Sequence, residues 1–127
     1  MAAALQTMFT YRPGEGVDPR HAFDAATQLL DPEFARGGAP AAIALAPVTP
    51  GMWQHWRDHL VTVTATARVT ADDHPPDTAS RAARVVAVSM QPSDTTPALR
   101  LVVFALAHRT QDGQDARWLL ANVQVAS

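Results

Sequence analysis

At Leu60 the chain changes its period. From Val61 to Thr70 apolar and polar residues alternate: Val61, Val63, Ala65, Ala67 and Val69 lie on one side, Thr62, Thr64, Thr66, Arg68 and Thr70 on the other. Before Leu60 the apolar residues recur at helical spacing instead. A chain that switches from one period to the other must lay helices against a sheet. Helices fall in about residues 18–60 and strands in about residues 60–127. Its length of 127 residues suits one domain spanning 1–127.

In the helical half, "DPRHAFDAATQLL" opens with Asp18 as an N-cap and Pro19 at the first helical position. Ala22, Phe23, Ala26, Leu29 and Leu30 then share one face. Asp31-Pro32 breaks the chain, and "PEFARG" continues as a short second helix. Residues 37–50 are rich in alanine and proline and read as a loop. Thr49 and Pro50 start a third helix, "TPGMWQHWRDHL".

Beyond the first strand, Pro75-Pro76 marks a connector without regular pairing. Further strands run through "SRAARVVAVSMQ", "LRLVVFALAHRT" and "RWLLANVQVA". In the third strand both alternating sets are apolar, so both faces are expected to be largely covered. In the last, Leu119, Ala121, Val123 and Val125 are expected on one face, with Trp118, Leu120, Asn122 and Gln124 on the other. Asp112-Gly113 is a hairpin signal. A strand of eleven residues at roughly 3.3 Å each would span about 36 Å, so the sheet is expected to twist or curl round the helices. The predicted class is α+β, with N-terminal helices on a strongly curved antiparallel sheet of three to four long strands.

Composition removes several chemistries. There is no cysteine, which excludes thiol catalysis, zinc–thiolate sites and disulfides. All ten basic residues are arginine, so no lysine nucleophile or Schiff base is available. A formal charge of −2 without a clustered basic stretch gives no footprint for direct nucleic-acid binding.

The densest side-chain chemistry lies at Trp53–His59. His55 and His59 stand four apart, in reach of one metal ion, but a zinc-hydrolase helix needs a glutamate where Trp56 stands. Two histidines are an incomplete ligand set, and no metal site and no cofactor are assigned. Asp72, Asp73, His74 and Asp77 lack the glycine-centred spacing of a calcium loop and read as a solvated turn. Trp53, Trp56 and Trp118 either plug the end of the sheet or line a pocket mouth.

The order of elements, with "MFTYRPGEGVDPRHAFDAATQLL", "MWQHWRDHLVTVTATARVT" and "ARWLLANVQV", resembles the nuclear-transport-factor-2-like, cone-shaped fold. Within it the chain resembles extracytoplasmic domains of actinobacterial conjugation proteins. These are similar to the inner-membrane scaffold subunit of type IV secretion systems, and Mce-associated membrane proteins share the layout. The resemblance implies a non-enzymatic assembly domain at the outer face of the cell membrane, held by an N-terminal anchor that this sequence lacks. Its implied partners are other secretion-machine subunits and further copies of itself. Contacts would come from the sheet's exposed face or from the helix surface around Trp53 and Trp56, with Trp118 and Tyr11 as further candidates. The alternative location is the cytoplasm. The same fold also hosts small isomerases, cyclases and dehydratases that use an acid–base residue inside the cone. Tyr11, Asp24, Asp58 and His108 are the candidates for that alternative. For the scaffold reading, Phe23, Leu30 and Phe104 are expected to fill the cone.

Overall fold

Three helices begin where side-chain caps and proline coincide. In the computed structural model, which describes residues 1–110 and 117–126, the Asp18 carboxylate accepts from the His21 backbone N–H at 2.9 Å and opens α2, Pro19–Ala25. Asp31 accepts from Glu33 N–H and opens α3, Pro32–Gly37. Thr49 accepts from Met52 N–H at 3.1 Å and opens α5, Pro50–Asp58. Two further helices, α1 (Ala2–Met8) and α4 (Ala39–Ile43), have no side-chain cap. The predicted loop at 37–50 therefore contains a helix, and the helical half starts well before residue 18. Both short helices owe their place to packing: Leu5, Ala39 and Ala42 are buried.

The helix expected through Leu30 stops at Ala25 and tightens into a 3₁₀ turn, Thr27–Leu29. This rotates Leu29 outward to 38% exposure, while Ala22, Phe23, Ala26 and Leu30 stay buried. At α3, Gly38 passes so close to the Phe34 ring that a Cβ there would collide with it. Phe34 in turn stands edge-on to Phe23, with centroids 5.5 Å apart.

The strands β1 (Val63–Val69), β2 (Arg81–Pro92), β3 (Leu99–Arg109) and β4 (Trp118–Val125) form one antiparallel sheet in the order β1-β2-β3-β4. The sheet is not closed, since β1 and β4 are its two edges. The chain is thus α+β, with its core between the helices and one sheet face. Val63, Val86, Val88, Met90 and Val103 meet Leu5, Phe9, Phe23 and Trp56 in one cluster. Asp112-Gly113 lies outside the described residues.

Two expectations about sheet faces fail. On β3, Leu101, Val103, Ala105 and Ala107 are buried, but Val102 and Phe104 are 42% and 49% exposed. Phe104 does not fill the interior with Phe23 and Leu30; it stands on the face without helices. On β4 the register shifts opposite Leu106 and Ala107, leaving Ala121 as the extra residue. The bulge breaks the alternation, so Leu120 and Val123 both enter the core.

Candidate functional site

The aromatic candidates divide. Tyr11 bridges to the first residue of β1, exchanging backbone hydrogen bonds with Val63 at 2.9 and 2.8 Å. This places its ring against α5. Trp53 meets it edge-on, with centroids 5.7 Å apart, and Trp56 follows at 6.3 Å from Trp53. Trp56 is a core side chain at 1% exposure, whereas Trp53 is half-buried. Trp118 stands apart at the start of β4, opposite Arg109 and 41% exposed. The three tryptophans therefore do not form a single plug.

Beside Tyr11 and Trp53 lies an open cavity of about 560 Å³, walled also by Asp18, Ile43, Val48 and Gln54. Tyr11 has no exposed surface, and its hydroxyl has no hydrogen-bond partner. Burial pushes this hydroxyl above its ordinary pKa, so it remains a neutral donor. Asp18 is held below the usual carboxylate range, chiefly by the His21 backbone N–H and then by the His21 ring. It is ionised at neutral pH. The contribution of residues 43–48 was hidden in the sequence, where they read as a loop.

Of the enzyme candidates, Tyr11 lines this cavity and Asp24, Asp58 and His108 do not. Asp24 pairs with Arg20 on α2, at 3.3 Å. Asp58 accepts from Gln54 Nε2 at 2.8 Å on α5. His108 lies on β3, 3.8 Å from Asp31, in a separate polar cleft of about 590 Å³ with Arg81 and Arg109. All side chains buried among the described residues are apolar or aromatic.

His55 and His59 stack with centroids 4.3 Å apart, but each has its own partner. His55 Nε2 meets Asp94 at 3.0 Å, and His59 Nδ1 meets the His55 carbonyl at 2.9 Å. Thr96, and then His55, hold Asp94 at about 2. Asp77 in the acidic connector is held below its ordinary value by Arg84, which grips both of its oxygens at 2.6 and 2.7 Å. Among the described residues no three His, Asp or Glu side chains converge on a metal position. None of the described helices is long and apolar enough to cross a membrane.

The sheet face opposite the core carries exposed apolar side chains. Val102 and Phe104 stand on it, beside Ala87 and Val85 of β2 and Leu106 of β3. Both sheet edges, by contrast, carry covers. On β1 the Ala65 N–H donates to Thr10 Oγ1 at 3.1 Å and the Ala67 N–H to Gln6 Oε1 at 3.1 Å, so α1 and the residues after it occupy the edge. On β4 the Leu120 carbonyl accepts from Asp31 N–H at 2.8 Å, and the Val123 N–H donates to the Asn122 side chain. These contacts take up groups that another strand would need. Compared with protein-family profiles, curated proteins and solved structures, the chain matches none of them.

Proposed function

We propose that this chain is a non-enzymatic assembly domain whose helix-free sheet face binds a second copy of itself. The observation that carries this reading is the exposure of Phe104 and Val102 at the centre of a face no helix covers. Because the edges are occupied, association by adding strand to strand is disfavoured, and face-to-face packing is left. The formal charge of −2 opposes self-association only weakly.

Size sets the strength. Three strands about 4.8 Å apart and some six residues long make a patch of roughly 15 by 20 Å, or about 300 Å² per copy. Two such patches bury less than a standard stable interface of about 1,600 Å². Pairing is therefore weak alone and becomes effective where many copies are concentrated. A membrane-held machine supplies that condition, and the resemblance to extracytoplasmic scaffold domains of conjugative, type IV secretion systems supports this setting. Under this reading the sheet is the curved wall of a nuclear-transport-factor-2-like cone, and an N-terminal membrane anchor precedes it in the working protein.

Sedimentation velocity over a concentration series tests the contact. The wild-type chain is expected to form dimers reversibly at hundreds of micromolar, and Phe104→Glu to remain monomeric with its fold intact. A wild-type chain that stays monomeric at millimolar concentration, or a Phe104→Glu chain that dimerises equally, defeats the proposal.

A further inference from the structure

We propose that the cavity beside Tyr11 and Trp53 is a binding site for a neutral, mainly apolar small molecule bearing one hydrogen-bond acceptor. The site is separate from the sheet face and does not depend on self-association. Its volume of about 560 Å³ falls within the range of small-molecule pockets. Ile43, Ala46, Val48 and the Trp53 ring supply apolar wall, and Pro19 and Pro50 stiffen two sides of it.

The polar groups decide what kind of molecule fits. Thr49 Oγ1 is engaged with Met52 N–H, Gln54 Nε2 with Asp58, and Asp18 Oδ1 with the His21 backbone. The Thr49 hydroxyl is exposed to water, whereas the Tyr11 hydroxyl is, among the described residues, the buried side-chain donor without an acceptor. An unpaired buried hydroxyl is costly, and an acceptor on a ligand would remove that cost. Anions are disfavoured because the wall carries the Asp18 carboxylate and no basic residue. The hydroxyl is closed off from water, so under this proposal the ligand displaces a neighbour, and the half-buried Trp53 ring is the cavity-wall side chain in edge-on contact with Tyr11. Trp53 is part of the cavity wall and stands edge-on to both Tyr11 and Trp56.

The test uses acetophenone, with ethylbenzene as the same shape lacking the acceptor and benzoate as the anion. Binding is followed at the indole N–H of Trp53 in two-dimensional NMR spectra of the whole chain, the signal being assigned with Trp53→Phe. Acetophenone is expected to shift this signal saturably and to bind about three- to tenfold more tightly than ethylbenzene, the worth of one neutral hydrogen bond. Benzoate should bind more weakly than either. Tyr11→Phe should leave ethylbenzene binding unchanged and bring acetophenone level with it. Ala46→Trp, which fills the cavity from its wall, should weaken both by at least tenfold. The proposal is overturned if neither neutral probe binds, if the wild-type chain treats them alike, or if benzoate binds best. It also fails if Tyr11→Phe keeps the preference or Ala46→Trp keeps the binding.

Discussion

Replacing Tyr11 by phenylalanine should make this protein more stable, not less. The ring of Tyr11 is fully buried and packs on Trp53, contacts that phenylalanine keeps. What disappears is a hydroxyl without a partner. A buried polar group left unpaired costs about 1–3 kcal/mol, and that cost is lifted. Against it stands a void of roughly 10–15 Å³, which at about 24 cal/mol per Å³ takes back about 0.3 kcal/mol. The balance is a gain of about 0.7–2.7 kcal/mol. With an unfolding entropy of about 2.1 cal/mol/K per residue, this raises Tm by about 3–10 °C for a domain of this length.

Urea denaturation followed by circular dichroism measures the difference directly, and thermal unfolding checks it. The pH dependence supplies a second test. Burial raises the pKa of Tyr11 in the folded state, so its neutral form is favoured by folding. That advantage is complete below the unfolded value of about 10 and is lost as pH rises towards the folded value. Above pH 10 the wild-type chain should therefore lose stability more steeply than Tyr11→Phe. A variant destabilised by about 1 kcal/mol or more, or with the same alkaline slope as wild type, would refute the reasoning: the hydroxyl would then have a partner.

Three further outcomes are expected. Leu60 holds a positive φ of 52° at the end of α5 and is 73% exposed, so Leu60→Gly should add up to about 1 kcal/mol of stability in the same urea titration. Asp94 is held at about 2 against an ordinary 3.8, first by Thr96 and then by His55. Its contribution is present above pH 4 and lost as pH falls towards 2, so Asp94→Asn should flatten the acid limb of stability there. Removing both covers of the β1 edge with Gln6→Ala and Thr10→Val should accelerate amide exchange at Ala65 and Ala67 and increase aggregation; unchanged exchange at both positions would show that the two side chains do not guard the edge.

The residues that could be read correctly from sequence are those whose conformation is decided locally. Asp18 and Thr49 cap helices because their oxygens reach N–H groups three residues on. The alternation of β1 is equally local: Val63 and Ala65 are buried and Ala67 half-buried on the expected side, although Val69 at the strand's end is exposed. The misread residues are decided by neighbours distant in sequence. Neither α1 nor α4 carries a side-chain cap, and they hold by burying Leu5 and Ala42 under the rest of the chain. On β3 both sets of side chains are apolar, so alternation separates Phe104 from Val103 without saying which side the helices cover. On β4 the bulge at Ala121 inverts the expected face of Leu120, and no glycine marks it in the sequence. The candidate site was half legible for the same reason: Trp53 and Tyr11 stand out by residue type, but Ile43 and Val48 join them only through folding.

The change of period at Leu60 also explains why the two tryptophans sit where they do. Helix α5 ends at Asp58, and the Val61 N–H then reaches back to the Trp56 carbonyl at 2.9 Å across Leu60 in its left-handed conformation. This closes the helix and turns the chain at once into β1, whose first residue, Val63, is the one that bridges to Tyr11. The strand start is therefore fixed only a few residues after Trp56, and Tyr11 is fixed to the strand start. Trp53, one turn earlier on α5, has to meet the Tyr11 ring. The contact of the Trp53 ring with the Tyr11 ring thus follows from a helix stop and a strand register. If that stop is what positions the pair, relaxing Leu60 to glycine should leave the Tyr11–Trp53 contact intact, because glycine adopts the same left-handed turn, whereas Leu60→Val, which resists positive φ, should loosen it. The nuclear Overhauser contacts between the two rings report which happens, and equal contacts in both variants would show that the turn at Leu60 does not position them.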